Sequence, residues 1–349
     1  MTKKLLLNLI NIFALVFLLS ACQKEAELVS LNGRTMGTTY HIKYIDEGKT
    51  KLSVQKMHEG IEGILQDVNA KMSTYIPNSE LSVFNKNKEI NNPIEISADL
   101  AFVVAEAIKL NQITQGALDV TVGPIVNLWG FGPEKRVEKA PTPEQIAERK
   151  AWVGIEKVRL TQKDNKFFLT KSVPQIYIDL SSIAKGFGVD KVADYIAEQG
   201  ITDYLVEIGG EIRANGHNAE NKAWQIAIEK PTFDGTRSVS QVVGLQDLAM
   251  ATSGDYRNYF EQDGKRFSHE IDPTTCQPVQ HNLASITVLS KSAMTADGLS
   301  TGLFVLGAEK ALEIAEQNDL PIYLTVKTPQ GFENKMSSKF AEILSTQKK

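Results

Sequence analysis

The chain is expected to fold as a mixed α+β protein, and three features of its 349 residues point there. Segments whose apolar residues alternate at a period of two are interleaved with stripes at helical spacing. Many neighbouring strands are joined as hairpins, and a chain of this length can bury a large core, as one big domain or two lobes.

The N-terminus stands apart from that pattern. Met1-Thr2-Lys3-Lys4 leads into LLLNLINIFALVFLLSAC, an apolar run too short and too early for a dedicated membrane span, which reads as a secretory signal over residues 1–21. Its ending, Leu19-Ser20-Ala21-Cys22, resembles a bacterial lipobox. That resemblance implies a mature chain beginning at a lipidated Cys22, followed by a polar tether over 22–30 and a folded domain over 31–345. With Cys22 lipidated only Cys276 remains, so no internal disulfide is possible and stability must come from the core. The net charge of -4 and pI near 5.9 give no electrostatic footprint for nucleic acid.

Along the chain, LVSLNGRTMGTTYHIKYI is strand-like, and Met57, Ile61, Ile64, Leu65 and Val68 form a helical stripe ending near Asn69. Pro77-Asn78-Ser79 is turn chemistry, with Tyr75 just ahead of it, either a packed loop aromatic or a ligand contact. Ser97 can cap a helix that buries Leu100, Val103, Val104, Ala107 and Ile108 and ends at Gly116. GALDVTVGPIVNLWGFGPE reads as a glycine-rich loop whose backbone groups need partners, from a ligand or another segment. Pro141 to Lys150 reads as a short helix and Trp152 to Thr170 as two strands.

Residues 176–200 are the stretch around which the rest is organised. Ile176, Ile178 and Leu180 alternate as a strand does, and Val189, Val192 and Ile196 follow at helical spacing, with Ser181 or Ser182 available as N-cap. Lys185 then stands in the first helical turn, where the dipole disfavours a cation, and Gly186 and Gly188 each cost about 1 kcal/mol relative to alanine. Hydroxyls, a cation and bare backbone at a helix start suit a phosphate-bearing ligand; a plain strand-to-helix connection is the other reading.

Downstream, YLVEIGGEIRANG, AWQIAIEKP and Thr236 to Thr252 alternate as strands, and Asp263-Gly264 marks a hairpin setting Phe260 opposite Phe267. Leu283 to Leu289 is a strand, Ser292 starts a helix through Leu306, and Ala308 to Ala315, Ile322 to Val326 and a helix near Phe340 close the fold. On the Ser292 helix, Asp297 and Thr301 are four apart and project from one face. An all-oxygen pair suits a hard cation such as Mg2+; alternatively Asp297 complements the dipole and Thr301 bonds back to the carbonyl of residue 297. His269 sits in the polar segment Ser268 to Pro273, structural or catalytic. No zinc spacing, GxGxxG after a strand, GxxxxGK[ST] or GxSxG is present.

RTMGTTY, MSTYIPNSELSVFN, GALDVTVGPIVNLWGFGP, IDLSSIAKGFGVDKVADY, YLVEIGGEI, TSGDYRNYF, SHEIDP and ADGLSTGLFVLG, in this order over residues 30 to 340, resemble the ApbE-like FAD:protein FMN transferases. The resemblance implies a two-lobed, T-fold-like mixed α/β architecture with the active site between lobes. It also implies transfer of FMN from FAD to a Thr or Ser of a partner protein, with release of AMP and dependence on Mg2+. Met36, Tyr75, Ala117, Leu118, Asp119, Asp179, Lys185 and Ile271 fall where the family contacts FAD. Asp297 and Thr301 match its metal ligands, with a further one from the turn Ser182 to Ala184. His269 is the expected general base. A water nucleophile would instead give an FAD pyrophosphatase, and a site without turnover a flavin-binding lipoprotein. The resemblance also implies acceptors that are subunits of respiratory NADH:quinone (Nqr) or Rnf-type complexes, and an expected location on the periplasmic side of the inner membrane. Cys276 stands where the family more often has the glycine of DPxTG.

Overall fold

The computed structural model describes residues 26–133, 139–230, 238–255, 259–262 and 265–347. Cys22 and the 263–264 turn lie outside them. Strand β1 (Glu27–Thr35) begins ahead of residue 31, the expected start of the folded domain. It turns through Met36 and Gly37, both at positive φ, into β2 (Thr38–Asp46). Helix α1 (Val54–Met72), capped by Ser53, buries Met57, Ile61, Leu65 and Val68 as the stripe predicts. It runs past Asn69 because that amide donates to Leu65 O (2.7 Å) and Thr35 Oγ1 (3.0 Å), tying helix to strand instead of ending it.

Helix α2 (Glu80–Lys86) follows the predicted turn, and β3 (Ile94–Ile96) leads into α3 (Ala98–Ile113), where Ser97 Oγ accepts from Leu100 N–H at 3.2 Å. The glycine-rich stretch is not all loop: it holds α4 (Gly123–Leu128). Next come α5 (Pro143–Lys150), closed by a Thr142–Gln145 capping box, then β4 (Val158–Lys163) and β5 (Lys166–Lys171), which join β3 in a small sheet.

Residues 176–180 form no ladder strand. The side-chain amide of Asn85 stands in for a neighbouring strand: its Nδ2 donates to Ile178 O and its Oδ1 accepts from Ile178 N–H, both at 2.8 Å, while Asp179 N–H donates to Val120 O at 2.7 Å. Helix α6 (Ala184–Glu198) starts after Ile183, and neither serine caps it; Ser181 Oγ donates to Asp179 instead.

Strands β6 (Tyr204–Ile208), β7 (Glu211–Asn215), β8 (Trp224–Lys230), β9 (Ser238–Leu245) and β10 (Leu248–Gly254) follow. The short pieces β11 (Tyr259–Gln262), β12 (Lys265–Ser268), β13 (Ile271–Asp272) and β14 (Gln277–Pro278) lead to β15 (Leu283–Ser290), and Phe260 pairs with Phe267 in register as expected. Helices α7 (Ala293–Leu306) and α8 (Ala308–Gln317), strands β16 (Ile322–Thr328) and β17 (Gly331–Met336), and α9 (Ser338–Gln347) complete the chain.

The central sheet has eight strands in the order β1-β2-β6-β7-β10-β15-β16-β17, antiparallel throughout, as an α+β fold requires. Helices α1 and α6 pack on β1, β2 and β6, and α3 and α7 pack with the 176–187 segment on β15 and β16. The β8–β9 ribbon and α9 cover β7 and β10 separately. The α7 N-terminus is locked to α6 by Asp190, whose carboxylate accepts from the Ala293 and Met294 amides at 3.0 Å.

Lys171, buried at the end of β5, donates to the carbonyls of Phe84 (3.0 Å), Asn85 (3.4 Å) and Ile176 (3.5 Å). Burial, with the nearby Lys88 charge, lowers its pKa from 10.5 to about 8. Below pH 8 the folded state therefore holds a penalised cation, and the penalty fades as pH rises toward the unfolded value. Lys171→Met removes the titration. Its stability relative to wild type, from urea unfolding, should fall by about 2 kcal/mol between about pH 7.5 and about pH 10; a flat difference would show that the ammonium is not held this way.

Candidate active site

A cavity of about 840 Å³ opens where the first turn of α6, the face of α7, the start of β7, the far end of β10 and strand β8 converge. Of the predicted residues, Tyr75, Ala117, Leu118, Asp119, Asp179, Ser182, Lys185, His269, Ile271, Asp297 and Thr301 line it. Met36 and Ala184 do not. The Met36 methyl packs over α6, where a Cβ on Gly188 would meet it at 2.8 Å; Ala184 rests against the core and its N–H donates to Leu180 O at 2.8 Å.

Lys185 violates the dipole rule only until its partners are seen. Its Nζ lies 2.9 Å from Glu211 Oε1 and 3.5 Å from Asp297 Oδ1. Burial alone would lower its pKa, and the Asp297 and Glu211 carboxylates more than offset this and raise it, so the ammonium stays charged. Glu211 moves the other way. Burial raises its pKa to about 7, opposed by Lys185 and reinforced by Asp297. Its Oε2 is buried without a hydrogen-bond partner while the residue faces the cavity. Nothing in the strand pattern of YLVEIGGEI marked Glu211; only the β6–β7 turn through Gly209 and Gly210, both at positive φ, brings it opposite Lys185.

Three amides at the start of α6 already have partners within the protein. The Ile183 and Ala184 amides donate back to Leu180 O, and the Gly186 amide donates to Asp297 Oδ2 at 2.9 Å. Close approach makes this possible: a Cβ on Gly186 would lie 2.3 Å from Ala293 O. Thr301 does not bond back to the carbonyl of residue 297; Ser300 does, at 2.9 Å, leaving Thr301 Oγ1 toward the cavity and 3.4 Å from Ser253 Oγ.

Among the described residues no three His, Cys, Asp or Glu side chains form a metal cluster. The donors that do converge, the Asp297 carboxylate, the Thr301 hydroxyl and the unpartnered Glu211 Oε2, are all oxygen. That set fits a hard cation such as Mg2+, which holds few protein ligands and completes its shell with water and phosphate.

Asp119 is committed to the protein. Its Oδ1 accepts from Thr121 N–H (2.8 Å) and Thr121 Oγ1 (2.6 Å), and its Oδ2 from Ile155 N–H (3.1 Å), so it shapes the 117–122 loop while burial raises its pKa. Asp179 likewise holds Ser181. His269 Nε2 is 3.4 Å from Oε1 of Glu270, whose pKa burial raises and the imidazole lowers. Cys276 is buried at φ +58°, with its N–H on Asp272 O (2.7 Å) and its carbonyl accepting from Trp129 Nε1 (3.0 Å). The left-handed conformation explains why glycine suits this position.

The model of the ApbE family matches residues 36–324. The chain belongs to the ApbE family. Curated ApbE relatives named FAD:protein FMN transferase include that of Haemophilus influenzae, 62% identical over 344 residues and 99% of each chain, and that of Vibrio cholerae, 52% identical over 338 residues and 97% and 99% of the two chains. Solved ApbE structures superpose closely. The flavin transferase of Vibrio cholerae gives a TM-score of 0.84 at 50% identity, over 91% of this chain and 99% of that one. The apo flavinyl transferase of Pseudomonas stutzeri gives 0.83 at 38%, over 91% and 97%.

Tyr75, 64% exposed at the cavity rim, is free of the core. Tyr75→Ala is therefore expected to weaken FAD binding roughly tenfold, the scale of a lost aromatic contact, with an unchanged melting temperature. An unaltered FAD affinity by fluorescence quenching would remove Tyr75 from the flavin site.

Proposed function

We propose that this chain is an FAD:protein FMN transferase, attaching FMN through a phosphoester bond to a Thr or Ser of an acceptor protein. The observation that carries the reading is the meeting of Lys185, Glu211, Asp297, Thr301 and His269 in one cavity, contributed by α6, β7, α7 and the 268–273 segment. The acceptor hydroxyl bonds to the phosphorus that carries the riboflavin, the bond from that phosphorus to the bridging oxygen breaks, and AMP leaves with that oxygen. His269 takes the hydroxyl proton, held in place by Glu270. Lys185 offsets the negative charge of the pyrophosphate, since the Ala184 and Gly186 amides are already engaged. Asp297 and Thr301, with a group from the Ser182 to Ala184 turn, would hold Mg2+, which when bound neutralises phosphate charge. The sequence-stretch residues Ala117, Leu118 and Ile271 form the apolar wall for the flavin.

Incubation of the mature protein with FAD, Mg2+ and a candidate acceptor tests the proposal. Flavin bound covalently to the acceptor supports it; free FMN with AMP makes the protein a pyrophosphatase, and unchanged FAD makes it a binding protein. The acceptors to try first are subunits of Nqr- and Rnf-type respiratory complexes. The same reading puts the protein on the periplasmic face of the inner membrane, anchored through Cys22. Cys22→Ser should then abolish membrane association or signal cleavage, and a wild-type protein found wholly soluble after fractionation would overturn the anchor.

A further inference from the structure

Four consecutive residues of β8, Ile226, Ala227, Ile228 and Glu229, line the reaction cavity, and no residue of its partner β9 does. A strand turning one face to a cavity contributes alternate side chains, because successive residues point to opposite sides. An unbroken run means that the edge of the strand, its backbone, faces the cavity. The apolar face of the ribbon is used elsewhere: Trp224, Ile228, Val243 and Leu245 pack into the core with Phe340. Over residues 225–228 the described backbone pairs with β9 alone, so the cavity-side amides and carbonyls have no protein partner. Such an edge accepts a further strand.

We infer that the cavity-side edge of β8 is the docking strand for the acceptor, which binds as a short extended segment carrying its Thr or Ser hydroxyl into the cavity. The inference rests on the flavin-transfer reading. The occupant follows from what that reaction demands: a chain-borne hydroxyl must reach a phosphorus beside the buried Asp297, and the backbone around it must keep its own polar groups satisfied on entry. An added strand meets both needs, since alternate residues pair with β8 and the intervening backbone faces outward. None of the positions that the family resemblance assigns to FAD lies on β8.

The test uses the full mature protein with FAD, Mg2+ and a library of nine-residue peptides with threonine at the centre, read by mass for gain of FMN. The best peptide is then resynthesised with a single N-methyl group at each position in turn. Strand addition predicts a two-residue period, with KM raised roughly tenfold at alternate positions, the scale of one lost backbone hydrogen bond, and unchanged between them. Hydrogen exchange adds a second measurement: the cavity-side amides among 225–228, those that do not donate to β9, should stay exchangeable with saturating FAD and become protected when the peptide is added. A KM without that period, labelling of folded acceptors but of no peptide, or protection by FAD alone would overturn the inference, the last by giving the edge to the flavin. If AMP is released from FAD while neither peptide nor protein gains flavin, the transfer reading itself fails and takes the docking strand with it.

Discussion

Asp297→Ala is expected to fold, to keep some affinity for FAD, and to lose FMN transfer by about 10²- to 10³-fold, the range seen when one preorganised charge-stabilising group is removed. Asp297 does two things at once in the structure. One oxygen accepts from the Gly186 amide and the other faces Lys185, which Glu211 also holds. Removing it orphans a buried amide, at about 1 to 3 kcal/mol, and deletes the anionic group of the candidate cation site. The two losses separate with Asp297→Asn, which can keep the bond to Gly186 while losing the charge. If charge for the cation is what matters, Asn should restore stability but not rate, and both variants should recover partly at high Mg2+. Wild-type turnover of either variant in the presence of a chelator would leave Asp297 as a connector of two helices and no more.

How far the site could be read in the sequence depended on whether each residue's role is local. The Asp297 and Thr301 spacing is set within one helix, so their shared face was legible and the structure keeps it. So were Ser97 and Ser292 as caps, because capping is decided over three residues. Lys185 looked like an error for the opposite reason. Its compensation comes from Glu211 and Asp297, on other elements, and periodicity carries no information about such partners. The expected 176–180 strand failed similarly: the alternation was real, but its hydrogen bonds are supplied by the Asn85 side chain. Asp119 falls where the family contacts FAD, but its partners in the fold, Thr121 and the Ile155 amide, belong to a local turn and a distant segment that periodicity does not connect. The glycines of α6 were legible as a cost. Their reason lies in other elements: α7 backbone presses on Gly186, and the Met36 side chain lies over Gly188.

That reason makes Gly186→Ala the second large effect. A Cβ there would sit 2.3 Å from Ala293 O, 2.5 Å from Ala293 C and 2.7 Å from Met294 Cα, all backbone atoms that cannot rotate away. In a free helix the change would gain about 1 kcal/mol. Here α6 and α7 must separate, against the Asp190 cap that ties the start of α7 to α6. Overpacking of this kind costs typically 1–3 kcal/mol and more where only backbone can yield, so a net loss of about 2 kcal/mol or more is expected by urea unfolding. Gly63, exposed within α1 with nothing within 4 Å of an added Cβ, is the internal control; Gly63→Ala should stabilise by up to about 1 kcal/mol. Because the Gly186 amide and Lys185 both meet Asp297, separation of the helices should also cost FMN transfer under conditions where the variant is fully folded. A Gly186→Ala protein as stable and as active as wild type would mean that the two helices are not pressed together at this point, and that the geometry of Asp297 does not depend on it.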